Sequence, residues 1–259
     1  MGTGKRAGRR FILATVAIGI ALGGLLGQAE AVTLGPSDGA PVVLLHGLLR
    51  SSASMSRLAG ALAAEGFHVC NVSYPSRQHS IEVLATDYVA PEIARCFPNS
   101  TRPIDFVTHS MGGIVVRQLA STHAIAAFGR VVMLAPPNHG SELVDRFGGW
   151  WIFQRINGPA GNELGTSPAS IAAQLGPAPF EVGIITGDRT TNLILSAYIP
   201  GRNDGKVSVA SAKLDGMKDF LVIPASHTFI MRNAGAIRQT VRFLESGEFE
   251  HDAPSRPAT

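Results

Sequence analysis

Six short apolar runs punctuate the chain, and amphipathic stretches fill most of the intervals between them. Pro41-Val42-Val43-Leu44-Leu45 is apolar without interruption and ends in His46-Gly47. Such a run suits a strand buried on both faces of a parallel sheet. Phe67 to Pro75, Ile104 to Val107, Arg130 to Ala135, Phe180 to Asp188 and Asp219 to Pro224 read as further strands. Helical spacing is predicted over Ser54 to Glu65, where Leu58 and Leu62 share a face and Gly66 is the stop signal. It is predicted again over Ser80 to Phe97, Met111 to Thr122 and Ile230 to Leu244. Pro91 has no amide hydrogen, so it should kink or split the second of these. Strands alternating with helices imply parallel pairing and right-handed crossovers, hence a three-layer α/β sandwich around a mostly parallel sheet. The rhythm fails over residues 141–178, which hold both tryptophans, Trp150 and Trp151, with Phe153 and several glycines. The tail from Ser246 is polar and is expected to fray.

Length allows one enzyme-sized domain with a large core. Lys5, Arg6, Arg9 and Arg10 crowd the first ten residues, Phe11 to Leu26 is apolar, and Ala29-Glu30-Ala31 has the small-x-small form of a cleavage site. Residues 1–31 are therefore expected to be a secretory signal peptide cut before Val32, leaving a domain of residues 32–259. The paired arginines also suit twin-arginine export. The alternative is an uncleaved N-terminal anchor, although the apolar run falls short of the ~20 residues that span a bilayer. Residues 1–31 carry the whole formal net charge of +3. A near-neutral remainder argues against a nucleic-acid surface. Cys70 and Cys96 are the only cysteines. In an exported chain that count suggests a disulfide; two buried free thiols are the alternative.

The chemistry concentrates in Ile104-Asp105-Phe106-Val107-Thr108-His109-Ser110-Met111-Gly112-Gly113. A strand, a sharp turn with serine at its apex and a helix would lift the hydroxyl clear of the backbone. The positions two before and two after the serine must be small; Gly112 meets that demand, and Gly113 would let the helix sit close to neighbouring strands. The stretch resembles the α/β-hydrolase superfamily, specifically its lipase and esterase branch, whose pattern is G-x-S-x-G. Thr108 is the departure, since a β-branched residue crowds the turn.

The resemblance covers residues from about 41 to 244 and implies roles for several of them. Ser110 would be the nucleophile, and the amides of Leu48 and Met111 the two oxyanion donors. His46 would brace the oxyanion loop rather than act as base, and His139 in the Pro136-Pro137-Asn138-His139-Gly140 turn would be structural. His227, just past the last strand, would be the base. Asp204, in Gly201-Arg202-Asn203-Asp204-Gly205-Lys206-Val207, would be the acid, with Asp188 as alternate; Asp215 and Asp219 read as solvated turn charges. His68, His79, His109, His123 and His251 lack comparable context. The order Ser, Asp, His is that of the superfamily. The fold tolerates insertions where residues 141–178 lie, so a small cap or lid over Ser110 is expected, its aromatics favouring acyl chains or a lipid interface; plain packing onto the core is the alternative. The implied reaction is hydrolysis of carboxylic esters, with lipid or acyl esters as substrate and no cofactor. No acidic cluster demands calcium. Acyl transfer by the same residues, or a binding protein that kept the fold, are the competing readings.

Overall fold

A computed structural model of the chain describes residues 29–98 and 100–251. The basic and apolar stretch expected as an export signal lies outside the described residues. Seven strands form one sheet: β1 (Glu30–Leu34), β2 (Pro41–Leu45), β3 (His68–Ser73), β4 (Ile104–His109), β5 (Phe128–Leu134), β6 (Val182–Gly187) and β7 (Asp219–Ile223). Their order is β1-β3-β2-β4-β5-β6-β7. Every pairing is parallel except that of β1 with β3.

The helices are α1 (Ser56–Ala64), α2 (Ile81–Val83), α3 (Ala90–Cys96), α4 (Gly112–Ser121), α5 (Glu142–Phe147), α6 (Trp151–Asn162), α7 (Ile171–Gln174), α8 (Leu193–Ser196), α9 (Val209–Ala212) and α10 (Ala234–Ser246). A wide π-type turn, Leu84–Val89, joins α2 to α3. Pro91 sits in the first turn of α3, where its missing amide hydrogen costs nothing. The predicted helix thus runs unbroken from Ile81 to Cys96, with a π-type segment rather than a split just before Pro91.

Period-two alternation along β2 sends Val43 and Leu45 to one layer and Val42 and Leu44 to the other. The first pair packs with Phe106, Val131 and Ile114 of α4; the second packs with Val107, Val132, Leu58 of α1 and Phe243 of α10. Both faces of the strand are thus dry, as its unbroken apolar run requires.

Three features depart from expectation. β1 was not anticipated: it is a short edge strand, largely exposed, and its one-sided contacts leave little pattern to read. Cleavage before Val32 would remove Glu30 and Ala31 from it and keep the pairs Val32–Asn71, Thr33–Cys70 and Leu34–Val69. Past Ser246, the described residues 247–251 are docked rather than frayed. Phe249 is buried against Phe243, and Asp219 accepts from the Phe249 amide at 2.7 Å and pairs with His251 at 2.8 Å. Asp219 is accordingly an anchor for the tail and not a solvated turn charge. Cys70 and Cys96 are joined by a disulfide that ties β3 to the end of α3.

Candidate active site

β4 enters the turn and α4 leaves it, and Ser110 between them takes φ +53°. A non-glycine residue in the left-handed region is strained, and such strain persists only where surrounding contacts hold it. Here Ser110 N donates to Leu134 O at 2.9 Å, and Gly113 N donates to Ser110 O at 2.9 Å. The turn is close against β2: a Cβ on Gly112 would stand 2.6 Å from Leu45 O. A Cβ on Gly113 would stand 3.0 Å from Pro136 Cβ and 3.5 Å from Thr108 Oγ1. The second distance is ordinary van der Waals contact, so Thr108 fits beside α4 without a clash. Its hydroxyl is buried without a partner.

β7 delivers His227 to the same spot. Its Nε2 is 3.0 Å from Ser110 Oγ, and its Nδ1 is 2.8 Å from Asp204 Oδ2. The other carboxylate oxygen of Asp204 accepts from the amides of Lys206 and Val207 at 3.0 and 2.8 Å. His227 N also donates to Asp204 O at 3.0 Å, so the two residues are fixed to one another through main chain as well as side chain. Asp204 and His227 are buried. Asp188 is not part of this chain of contacts; its carboxylate faces Arg202 at 2.6 Å and Arg189 at 3.6 Å. It sits directly after β6 but points to surface arginines.

His46 occupies the bracing position. Its Nε2 accepts from Tyr74 N at 3.1 Å, so the proton is on Nδ1, which donates to Gly47 O at 2.9 Å. The ring stacks on Tyr74 with centroids 4.1 Å apart, and Tyr74 Oη donates back to His46 O. Burial pushes the His46 pKa down to about 4, keeping it neutral. The loop it braces carries Leu48, and the N-terminus of α4 carries Met111. Among the described residues neither amide donates to another group of the protein. His139 is exposed and its amide donates to Ser211 O, with no contact to the site.

Above Ser110 lies a cavity of about 240 Å³. Leu143 and Val144 of α5, Phe153, Ile156 and Gly161 of α6, Leu164 just beyond α6, and Leu195 of α8 give it a mainly apolar lining. Part of the 141–178 segment thus lines the same cavity as Ser110. Phe147 stitches it together, touching Trp150, Phe153 and Tyr198. Gly158 bends α6 with φ +68°, and a Cβ there would collide with Arg77 O. The segment is tied to the loop of Asp204 as well: Ser141 Oγ donates to Lys206 O and Ser208 Oγ to Glu142.

Three contributors were missed in the sequence. His109 is buried and its Nε2 donates to His227 O at 2.9 Å. Arg117 of α4 is buried and donates to Asn138 O, Ala172 O and Gly176 O, clamping α7 onto the core. α8 supplies Leu195 to the cavity. Only the Leu193-Ile194-Leu195 run between the two candidate acids could have signalled it.

The sequence pattern of the alpha/beta hydrolase family matches residues 42–238, from β2 through the serine turn, Asp204 and His227 into α10. No curated protein matches the chain in sequence. Among solved structures the fold is similar to the mature form of the Bacillus licheniformis lipase BlEst2, at 17% identity over 83% of this chain and 98% of that one, with a TM-score of 0.69. It is similar to the phospholipase PlaB from Legionella pneumophila, at 17% identity over 80% of this chain and 58% of that one, with a TM-score of 0.62. The esterase RhEst1 from a Rhodococcus species is likewise similar, at 18% identity over 85% of this chain and 95% of that one, with a TM-score of 0.54. The strand order, the strained serine turn and a sequence pattern spanning most of the chain agree, and the chain belongs to the alpha/beta hydrolase family.

Proposed function

We propose that the protein is a serine hydrolase of carboxylic esters with acyl chains. The observation that carries this reading is the continuous relay from Asp204 through His227 to Ser110, opening on an apolar cavity. His227 Nε2 takes the Ser110 proton as Oγ attacks the ester carbonyl. The amides of Leu48 and Met111 receive the oxyanion, and the same imidazole then protonates the departing alcohol. Water enters, His227 removes its proton, and attack on the acyl-Ser110 ester releases the carboxylic acid. Asp204 holds the imidazole tautomer throughout and stabilises the imidazolium.

Exposed apolar residues around the cavity support a lipid substrate. Trp150, Trp151, Ile152, Leu193 and Ile194 are all more than half exposed. We assign them to contact with a lipid interface, and assign the protein to the exported compartment on its N-terminal pattern. The test is hydrolysis of p-nitrophenyl esters from acetate to palmitate by the protein and by Ser110→Ala. A rate that depends on Ser110 and rises with chain length is the expected result. Turnover that survives Ser110→Ala would overturn the assignment.

A further inference from the structure

Two cations share the cavity with Ser110 and His227. Arg50 follows the loop that carries Leu48, and Lys206 lies two residues after Asp204. Neither has a carboxylate within ion-pair distance among the described residues. Among the described residues the cavity lining contains no acidic side chain. Asp204 lies behind His227, and its oxygens are engaged by the imidazole and two amides. Although Lys206 is exposed as a residue, desolvation of its ammonium and then the Arg50 charge push its pKa down, Asp204 opposing them. Both cations also act on the buried His109, after burial and His227. Two like charges directed into one space, without a counterion, leave a positive potential beside the reacting centre.

The surroundings indicate which part of a substrate would answer that charge. The cavity beneath α5 and α6 is apolar and suits the acyl chain. A second cavity of about 270 Å³ adjoins it, sharing Leu49 and Arg50, and its other walls are Tyr74, Pro75, Ser76, Arg77 and Gln78. Arg50 stands at the junction between the apolar space and the polar one. Resting on the ester-hydrolase reading above, we propose that the preferred substrates carry a phosphate or carboxylate on the alcohol side of the scissile ester, recognised by Arg50 and Lys206. Arginine offers paired donors to either anion and lysine a point charge.

The experiment compares matched anionic and neutral esters: dihexanoylglycerol 3-phosphate with dihexanoylglycerol, and O-hexanoyl lactate with O-hexanoyl lactamide. The expected ratio of kcat/KM, anionic over neutral, is tenfold or more in at least one pair. The phosphate and carboxylate pairs then distinguish the two headgroups. The ratio should fall about tenfold in Arg50→Gln and in Lys206→Gln, fall less in Arg50→Lys, and shrink with added salt. A ratio near one would overturn the proposal. So would a ratio that the variants leave unchanged, or equal preference for p-nitrophenyl hydrogen suberate over p-nitrophenyl octanoate, which moves the charge to the acyl side. Calorimetric binding to Ser110→Ala separates recognition from turnover. Tighter binding of the anionic member, lost in the Ser110→Ala/Arg50→Gln double variant, supports the proposal even where hydrolysis fails; equal binding overturns it.

Discussion

His109 Nε2 donates to the main-chain carbonyl of His227 across 2.9 Å, and the two rings stand 5.1 Å apart. The residue before Ser110 therefore holds the backbone of the residue whose imidazole faces the Ser110 hydroxyl. Burial first, and the neighbouring His227 second, keep the His109 pKa well below the ordinary histidine range, so it is a neutral donor. His109→Phe keeps a ring of similar bulk and removes the donor. Losing one such hydrogen bond costs ~1 kcal/mol, and the expected outcome is a roughly fivefold lower kcat with KM nearly unchanged. Steady-state kinetics with a pH profile checks it, because a residue that only fills space would lower Tm and leave the kcat profile where it was.

The two aspartates offered by the sequence separate cleanly in space, and so should their variants. Asp204→Asn leaves the shape but spoils the tautomer of His227, and a loss of about 10³–10⁴-fold in kcat is expected. Asp188→Asn breaks pairs with two largely exposed arginines, Arg202 and Arg189, and should change kcat less than threefold. A large loss in Asp188→Asn with little in Asp204→Asn would reverse the assignment.

What the sequence disclosed follows from how local each requirement is. The serine turn demands particular residues within five positions, so Ser110, Gly112 and Gly113 were readable; the pattern of Gly201 to Val207 pointed to Asp204, and the end of the last strand pointed to His227. The buried strands were readable because β2 is dry on both faces and permits no polar residue. His109, Arg117 and Phe249 act through contacts far away in sequence, His109 with residue 227 and Arg117 with residues 172 and 176. Nothing in their immediate neighbours marks those partners. Asp219 looked like a surface charge for the same reason: the amide it holds is thirty residues away.

Two buried groups act on stability in opposite directions as pH changes. Burial raises the Asp105 carboxyl to about 6, against the pull of the Arg130 amide and charge, while His46 is lowered to about 4. The folded state binds more protons at Asp105 than the unfolded chain between about pH 4 and 6, so that contribution is lost as pH rises. At His46 the folded state binds fewer between about pH 4 and 6.5, so that contribution is lost as pH falls. Asp105→Asn keeps an acceptor for Arg130 N, 2.7 Å away, and removes only the first effect. Relative to the parent it should gain up to roughly 3 kcal/mol at pH 8 and only about 1 kcal/mol at pH 4.5. Urea unfolding at the two pH values measures the difference; equal shifts at both would contradict it.

The Cys70–Cys96 bridge closes a loop with a sequence separation of 26. In the chain-entropy account a loop of that size destabilises the unfolded chain by ~3 kcal/mol. The Cys70→Ser/Cys96→Ser double variant should therefore unfold at markedly lower urea concentration. The bridge lies at β3 and α3, away from Ser110, and kcat of the folded variant should stay within about twofold. Adding dithiothreitol to the parent should reproduce the stability loss and should leave the double variant unaffected.

Trp150 and Trp151 flank the start of α6 at 64% and 71% exposed, and neither lines the cavity over Ser110. Two indoles left in water beside an acyl-sized opening give up apolar burial that a lipid surface can restore. If insertion hides ~200 Å² of them at ~25 cal/mol/Å², the contribution to adsorption is ~5 kcal/mol as an upper bound, reduced by partial insertion and lost motion. Trp150→Ser/Trp151→Ser should therefore bind phosphatidylcholine vesicles at least tenfold more weakly and hydrolyse emulsified long-chain esters correspondingly more slowly. Soluble p-nitrophenyl butyrate reaches Ser110 without an interface, and its kcat/KM should stay within about twofold. Parallel losses on both substrates would mean that the tryptophans hold α6 in place instead of meeting lipid, and a Tm well below that of the parent would accompany that outcome.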